Sequence, residues 1–274
     1  MWRLSWCVCV VGLGCASEEQ EDALPDEPLP LSTERQVLYE VFTGSNCGPC
    51  LGADALLDEV FHETKRRYSS IKYQVGSDPY MTQESVSRRM YYLPGESSYP
   101  IPYVHADGIY GFHPAEVHDG EGYMDSDMEA FADVPALVRL EVGHSITDQT
   151  VDFEVRWTAL DLIEGESLVL HAVIIENITT LNVGSNGQAE FHQVMKKMVP
   201  DGSGTPMESL DRGDEGTLSL SYTFNGAYDP DTSRSEMVDH VTAHTVEEFE
   251  DLEVVVWLQD SESWEVLQSA WTID

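Results

Sequence analysis

Cysteine is scarce in this chain: five in 274 residues, at positions 7, 9, 15, 47 and 50, and none afterwards. A scaffold stapled by several disulfides is therefore excluded. Positive charge is scarce too, with 14 Lys and Arg against 50 Asp and Glu, a formal net charge of −36. Such a surface repels phosphate backbones and anionic membranes, which argues against binding of DNA or RNA. Beyond the first fifteen residues no apolar run is long enough to span a bilayer, and no internal repeat occurs. No histidine stands at zinc-finger spacing behind the paired cysteines. His240 and His244 lie four apart and could share a helix face, but they lack further ligands, so no metal and no cofactor is expected.

What is present is enough for sizeable cores: 42% hydrophobic and 9% aromatic residues. At the N-terminus Arg3 precedes a short apolar segment, "LSWCVCVVGLG", that reads as an export signal. It ends in "VGLGCAS", which resembles a bacterial lipoprotein signal with Cys15 as the lipidated residue. Gly12 departs from that pattern, because the Leu usual there stands one place later at Leu13. The alternatives to lipidation are an ordinary cleaved signal peptide or an uncleaved N-terminal helix. Residues 16–36 follow with seven acids, three prolines and one Arg, the composition of an extended, self-repelling tether. Ala16 after the cysteine implies, by the same resemblance, the outer membrane, on its periplasmic or surface face.

Two rhythms divide the remainder. From 37 to 135 strand and helix patterns alternate: "VLYEVF", a helical run through Ala53, Leu56, Leu57, Val60 and Phe61, "SSIKYQV", "MTQESVSRRMYYL", "IPYVHADG" and "MDSDMEAFA". This predicts a largely parallel sheet with helices on its faces. From 136 to 274 seven short β-type runs, "ALVRLEV" to "EVLQSAW", alternate with loops rich in Gly, Asp and Asn and predict a sandwich. One short helix is predicted in "MVDHVTAHTVEEF".

The chemistry concentrates in "GSNCGPC". Polar residues before Cys47 and a helical pattern after Cys50 put the first sulfur at a helix N-terminus, where free N–H groups stabilise thiolate. The two-residue spacer lets the second thiol reach back to resolve a mixed disulfide. Strand, Cys-Gly-Pro-Cys, helix and a later "IPYVHADG" strand together resemble the thioredoxin superfamily. That resemblance implies a cis Ile101–Pro102 bond facing the dithiol and binding substrate backbone. More narrowly, the whole stretch from 37 to 274 resembles the twenty-eight-kilodalton outer membrane protein family of lipoproteins, with "VLYEVFTGSNCGPC" as the entry motif. The fold so implied is an α/β thioredoxin-like domain followed by an all-β immunoglobulin-like sandwich. Departures from the thioredoxin pattern are Asn46 in place of an aromatic, and Val41 in place of a buried acid. Glu40 is one residue off, and more often such an acid is satisfied by a neighbour than employed as a proton relay.

These readings converge on a lipid-anchored thiol–disulfide oxidoreductase of reductase or isomerase type. Cys47 would attack and Cys50 resolve, while Ile101 and Pro102 position the substrate. Its partners would be cysteine-containing exported proteins or a periplasmic electron donor, with membrane contact through the lipid alone. The alternative is a binding or structural surface lipoprotein in which the Cys47–Cys50 disulfide is inert.

Overall fold

A computed structural model describes residues 32–93, 100–114, 125–229, 231 and 236–272. The export signal, Cys15 and most of the tether lie outside the described residues. The end of the stretch read as tether is packed: Arg35 and Gln36 are buried.

β1 (Val37–Thr43) is buried along its whole length, as an apolar run without alternation should be. Val37, Tyr39 and Val41 face Leu57 and Phe61 of α1 (Gly48–Glu63). Leu38 and Phe42 face the other way, beside Ile71 and Tyr73 of β2 (Tyr68–Gln74). α2 (Gln83–Tyr91) opens with a capping box in which Thr82 and Ser85 exchange side-chain and backbone hydrogen bonds of 3.0 and 3.1 Å. β3 (Tyr103–Ala106), β4 (Tyr110–Phe112) and α3 (Asp125–Ala132) complete the first half.

Each strand-like run of the second half forms a strand. They are β5 (Val138–Thr147), β6 (Thr150–Ala159), β7 (Leu168–Thr179), β8 (Phe191–Met198), β10 (Glu215–Thr223), β13 (Leu252–Asp260) and β14 (Val266–Trp271). Three two-residue strands, β9 (Thr205–Pro206), β11 (Ala227–Tyr228) and β12 (Ala243–His244), are added. The predicted helix near His240 does not form. Asp239 instead accepts from Val241 N, at 3.1 Å, and from the Thr242 hydroxyl, at 3.0 Å, local bonds that compete with a helix.

The assembly differs from the expected pair of folds, and the α/β thioredoxin-like domain with a separate immunoglobulin-like sandwich is overturned. Among the described residues strand accounts for 43% and helix for 16%, too little helix to clothe a parallel sheet. The strands run through one nine-stranded sheet, β14-β13-β7-β8-β2-β1-β3-β4, with β9 on β7. Only β1–β2 and β2–β8 pair in parallel within it; the other pairings are antiparallel. The parallel pairing of Lys72 with Val194 joins the strands before Pro135 to those after it.

One face of this sheet carries an unbroken core, from Leu38 and Tyr73 through Val173 and Met195 to Trp257 and Val266. The opposite face is divided. α1 and α3 cover it at β1, β3 and β4, and the three-stranded sheet β10-β6-β5 covers it at β7, β13 and β14. The result is a mixed sheet with a sandwich-like second layer. β14 returns to the start of β1, where Ser269 N donates to Gln36 O at 3.3 Å and Gln36 N to Gln268 Oε1 at 2.7 Å. Nearby, Arg35 and Asp107 form a buried ion pair at 2.8 Å. Among the described residues no helix is long and apolar enough to cross a membrane.

Candidate functional site

Cys47 is the N-cap of α1, and Gly48 and Pro49 open the helix. Proline fits there because the first-turn amides have no intrahelical acceptor. Cys47 and Cys50 are joined as a disulfide with an S–S distance of 2.06 Å. The two sulfurs are not equivalent: Cys47 is half-buried, whereas Cys50 is fully buried. Ile101 brings its carbonyl oxygen to 3.6 Å from Cys47 Sγ. The Ile101–Pro102 bond is cis, Pro102 is buried, and Tyr103 leads away as the first residue of β3. The residues singled out in the sequence on either side of the disulfide are thus brought together. His113 contacts Pro102 O through Nδ1 at 2.9 Å, on the far side of this turn.

The loop before Cys47 is held from several directions. Asp78, buried, accepts from Ser45 N at 2.7 Å and Tyr80 N at 2.8 Å. Asn46 donates through Nδ2 to Ser77 O at 2.8 Å. From the β7–β8 connection, Asn186 Nδ2 donates to Cys47 O at 3.1 Å and Gly44 O at 3.3 Å, and Asn186 N to Ser45 O at 3.0 Å. Ser185 N donates to Asn46 Oδ1 at 3.0 Å. Residues 139 positions away in sequence therefore set the geometry of the cysteine loop.

Glu40 has another task. Its buried carboxylate receives Arg88 Nε at 2.6 Å, Arg88 Nη2 at 2.8 Å, Tyr73 OH at 2.9 Å and the Tyr92 hydroxyl. Burial pulls its pKa upward, but the Arg88 charge and these hydrogen bonds outweigh it and hold the group below its ordinary value. A permanently ionised, fully paired acid is a poor proton relay. Tyr92 is core and stacks on His105 with ring centroids 3.9 Å apart; Tyr91 and Tyr103 are half-buried.

The acid beneath the cysteines is Asp54, which the sequence reading missed. It lies four residues beyond Cys50, one helical turn along the same buried face. Gln188 Nε2 and Thr43 Oγ1 donate to Oδ2 at 3.0 and 3.3 Å, while Oδ1 has no hydrogen-bond partner among the described residues. Burial pushes its pKa up, against the pull of the Lys72 charge and the Gln188 hydrogen bond. A signal did exist: 50, 54, 57 and 61 trace one apolar stripe, and Asp54 is the acid on it. The loop carrying Asn186 and Gln188 offered no such signal, since its Gly, Ser and Asn residues read only as a turn. His240 lies in a turn and His244 in β12, so the two do not share a helix face. Among the described residues no group of three or more side chains could hold a metal.

No family model matches the chain, and no curated protein matches it. Its fold is similar to that of HBP35 of Porphyromonas gingivalis, with a TM-score of 0.62 at 13% identity, over 88% of this chain and 75% of that one. It is also similar to a protein of Agrobacterium tumefaciens solved by structural genomics, with a TM-score of 0.54 at 14% identity, over 88% and 95%. At such identities the likeness concerns architecture alone.

Proposed function

We propose that the chain is a thiol–disulfide exchange protein, lipid-anchored through Cys15, that acts on exported polypeptides. The observation that carries this reading is the asymmetry of the pair. Cys47 meets solvent at a helix N-terminus beside the Ile101 carbonyl, and Cys50 is buried behind it. Exchange chemistry needs this local arrangement, and it does not depend on the surrounding fold.

In the reducing direction the Cys47 thiolate attacks one sulfur of a substrate disulfide. A Cys47–substrate bond forms and the other substrate sulfur leaves as thiolate. Cys50 then gives up its proton and attacks Cys47 Sγ, so the Cys47–Cys50 bond forms and the second substrate thiolate leaves. Two electrons pass from the dithiol to the substrate disulfide, and an external thiol donor must restore the dithiol. Asp54, one helical turn beyond Cys50 on the same buried face, with its raised pKa and an Oδ1 unpaired among the described residues, is the group suited to take the Cys50 proton. Ile101 and Pro102 form the edge against which the substrate backbone lies.

The test is mixed-disulfide trapping. Cys50→Ser should retain a disulfide-bonded peptide on Cys47, while Cys47→Ser should retain none on the buried Cys50. In the reduced native protein Cys47 should be alkylated well before Cys50. Equal, slow labelling of both thiols and no trapped adduct would leave the pair an inert structural disulfide, and the chain a binding or structural lipoprotein.

A further inference from the structure

The loop between β7 and β8 is fastened to the cysteine loop more firmly than a passive connection requires. Besides the bonds from Ser185 and Asn186, its Gly184 lies so close that an added Cβ would sit 2.5 Å from Ser45 O. Gln188 reaches past the loop to Asp54. Directly before Gly184 the same loop turns Val183 to solvent, 42% exposed. Across the disulfide Leu51, the residue after Cys50, is also 42% exposed, and half-buried Ile101 touches Cys47.

We propose that the β7–β8 loop is the substrate-selecting element of this site. Val183, with Leu51 and Ile101, forms an apolar collar around Cys47 for a polypeptide that carries an apolar residue beside its cysteine. The proposal rests on the exchange reading above and names its substrate class. Charge settles the occupant further. A chain of net charge −36 repels acidic partners, so the segment taken is neutral to basic. The disulfide at the centre of the collar requires that segment to be a cysteine-bearing polypeptide.

The experiment uses two disulfide-linked peptides of equal positive charge, one with Leu and one with Ser flanking the cysteine. Both are offered in excess to the pre-reduced full chain, and the second-order rate constant of the single turnover is measured by thiol release. The native protein should favour the Leu peptide roughly tenfold, the scale expected for burying part of one aliphatic side chain. In Val183→Ser/Leu51→Ser that ratio should fall towards one; both positions are on the surface, and an unchanged urea midpoint checks that the fold persists. A native ratio of one, or a ratio untouched by the double substitution, overturns the collar and leaves the exchange activity standing. Absence of reaction with either peptide overturns both.

Discussion

Replacing Arg88 by Met tests how the interior of the sheet is held together. Arg88 supplies two of the four hydrogen bonds to Glu40 and, among the described residues, its one ion pair, and both side chains are buried. Without the guanidinium the carboxylate is left buried with two tyrosine hydroxyls, an arrangement that costs about 3–5 kcal/mol. With a urea slope of about 3 kcal/mol/M, the unfolding midpoint at pH 7 should drop by roughly 1–1.7 M. Arg88→Met/Glu40→Gln removes both charges and should lose far less than the sum of the single changes. The pH dependence has a definite sign. In the native protein Glu40 has a depressed pKa, so its stabilisation is present above the ordinary carboxylate value and is lost as pH falls through the depressed one. In Arg88→Met burial outweighs the two remaining tyrosine hydrogen bonds and raises that pKa, so the deficit relative to native should shrink as pH falls from 7 to 5. A loss below about 1 kcal/mol, strict additivity, or a deficit independent of pH would refute the reasoning.

Gly184→Ala should cost about 1–3 kcal/mol in urea unfolding, because the new methyl meets the Ser45 backbone carbonyl as well as its hydroxyl, and the backbone cannot swing aside. It should also speed alkylation of Cys47 in the reduced protein by loosening its loop. Burial lowers the His105 pKa to about 4 from 6.5, so neutral His105 favours the folded state at pH 7, and that contribution is lost as pH falls from 6.5 through 4. His105→Phe should remove about 3 kcal/mol of the acid-induced stability loss measured between those pH values. Cys15→Ser should move the protein from the detergent phase to the aqueous phase in phase partitioning; a mature N-terminus beyond position 15 would end the lipoprotein reading.

Nearly every element was legible locally. "VLYEVFT", "YSSIKYQ" and the seven later runs form strands where their β-branched and aromatic residues fall, and Cys47 caps a helix where polar residues give way to a helical period. Partnership between strands was not legible. A signal was nonetheless present in the burial patterns: β5, β6 and β10 alternate, as strands with one wet face do. β7, β13 and β14 are buried almost without break. Such strands are covered on both faces, which a two-sheet sandwich standing alone does not provide. Propensity reports that a strand forms, but no local property reports that Lys72 will meet Val194 and fuse two halves into one sheet.

That fusion changes how the site is built. Were the dithiol carried by an independent domain, its loop would be shaped only by residues near it in sequence. Here the turn at Gly44–Cys47 is held by Asn186 and the acid behind Cys50 by Gln188, both on a loop that exists because β7 and β8 lie in the same sheet as β2. Hydrogen bonds to Cys47 O and to Asp54 fix the two positions on which the proposed exchange depends. A change in the β7–β8 loop must therefore register at the cysteines, although it lies far from them in sequence. Substitutions in the outward-facing side chains of β10, whose strand contributes nothing to that loop, should leave cysteine reactivity unaltered.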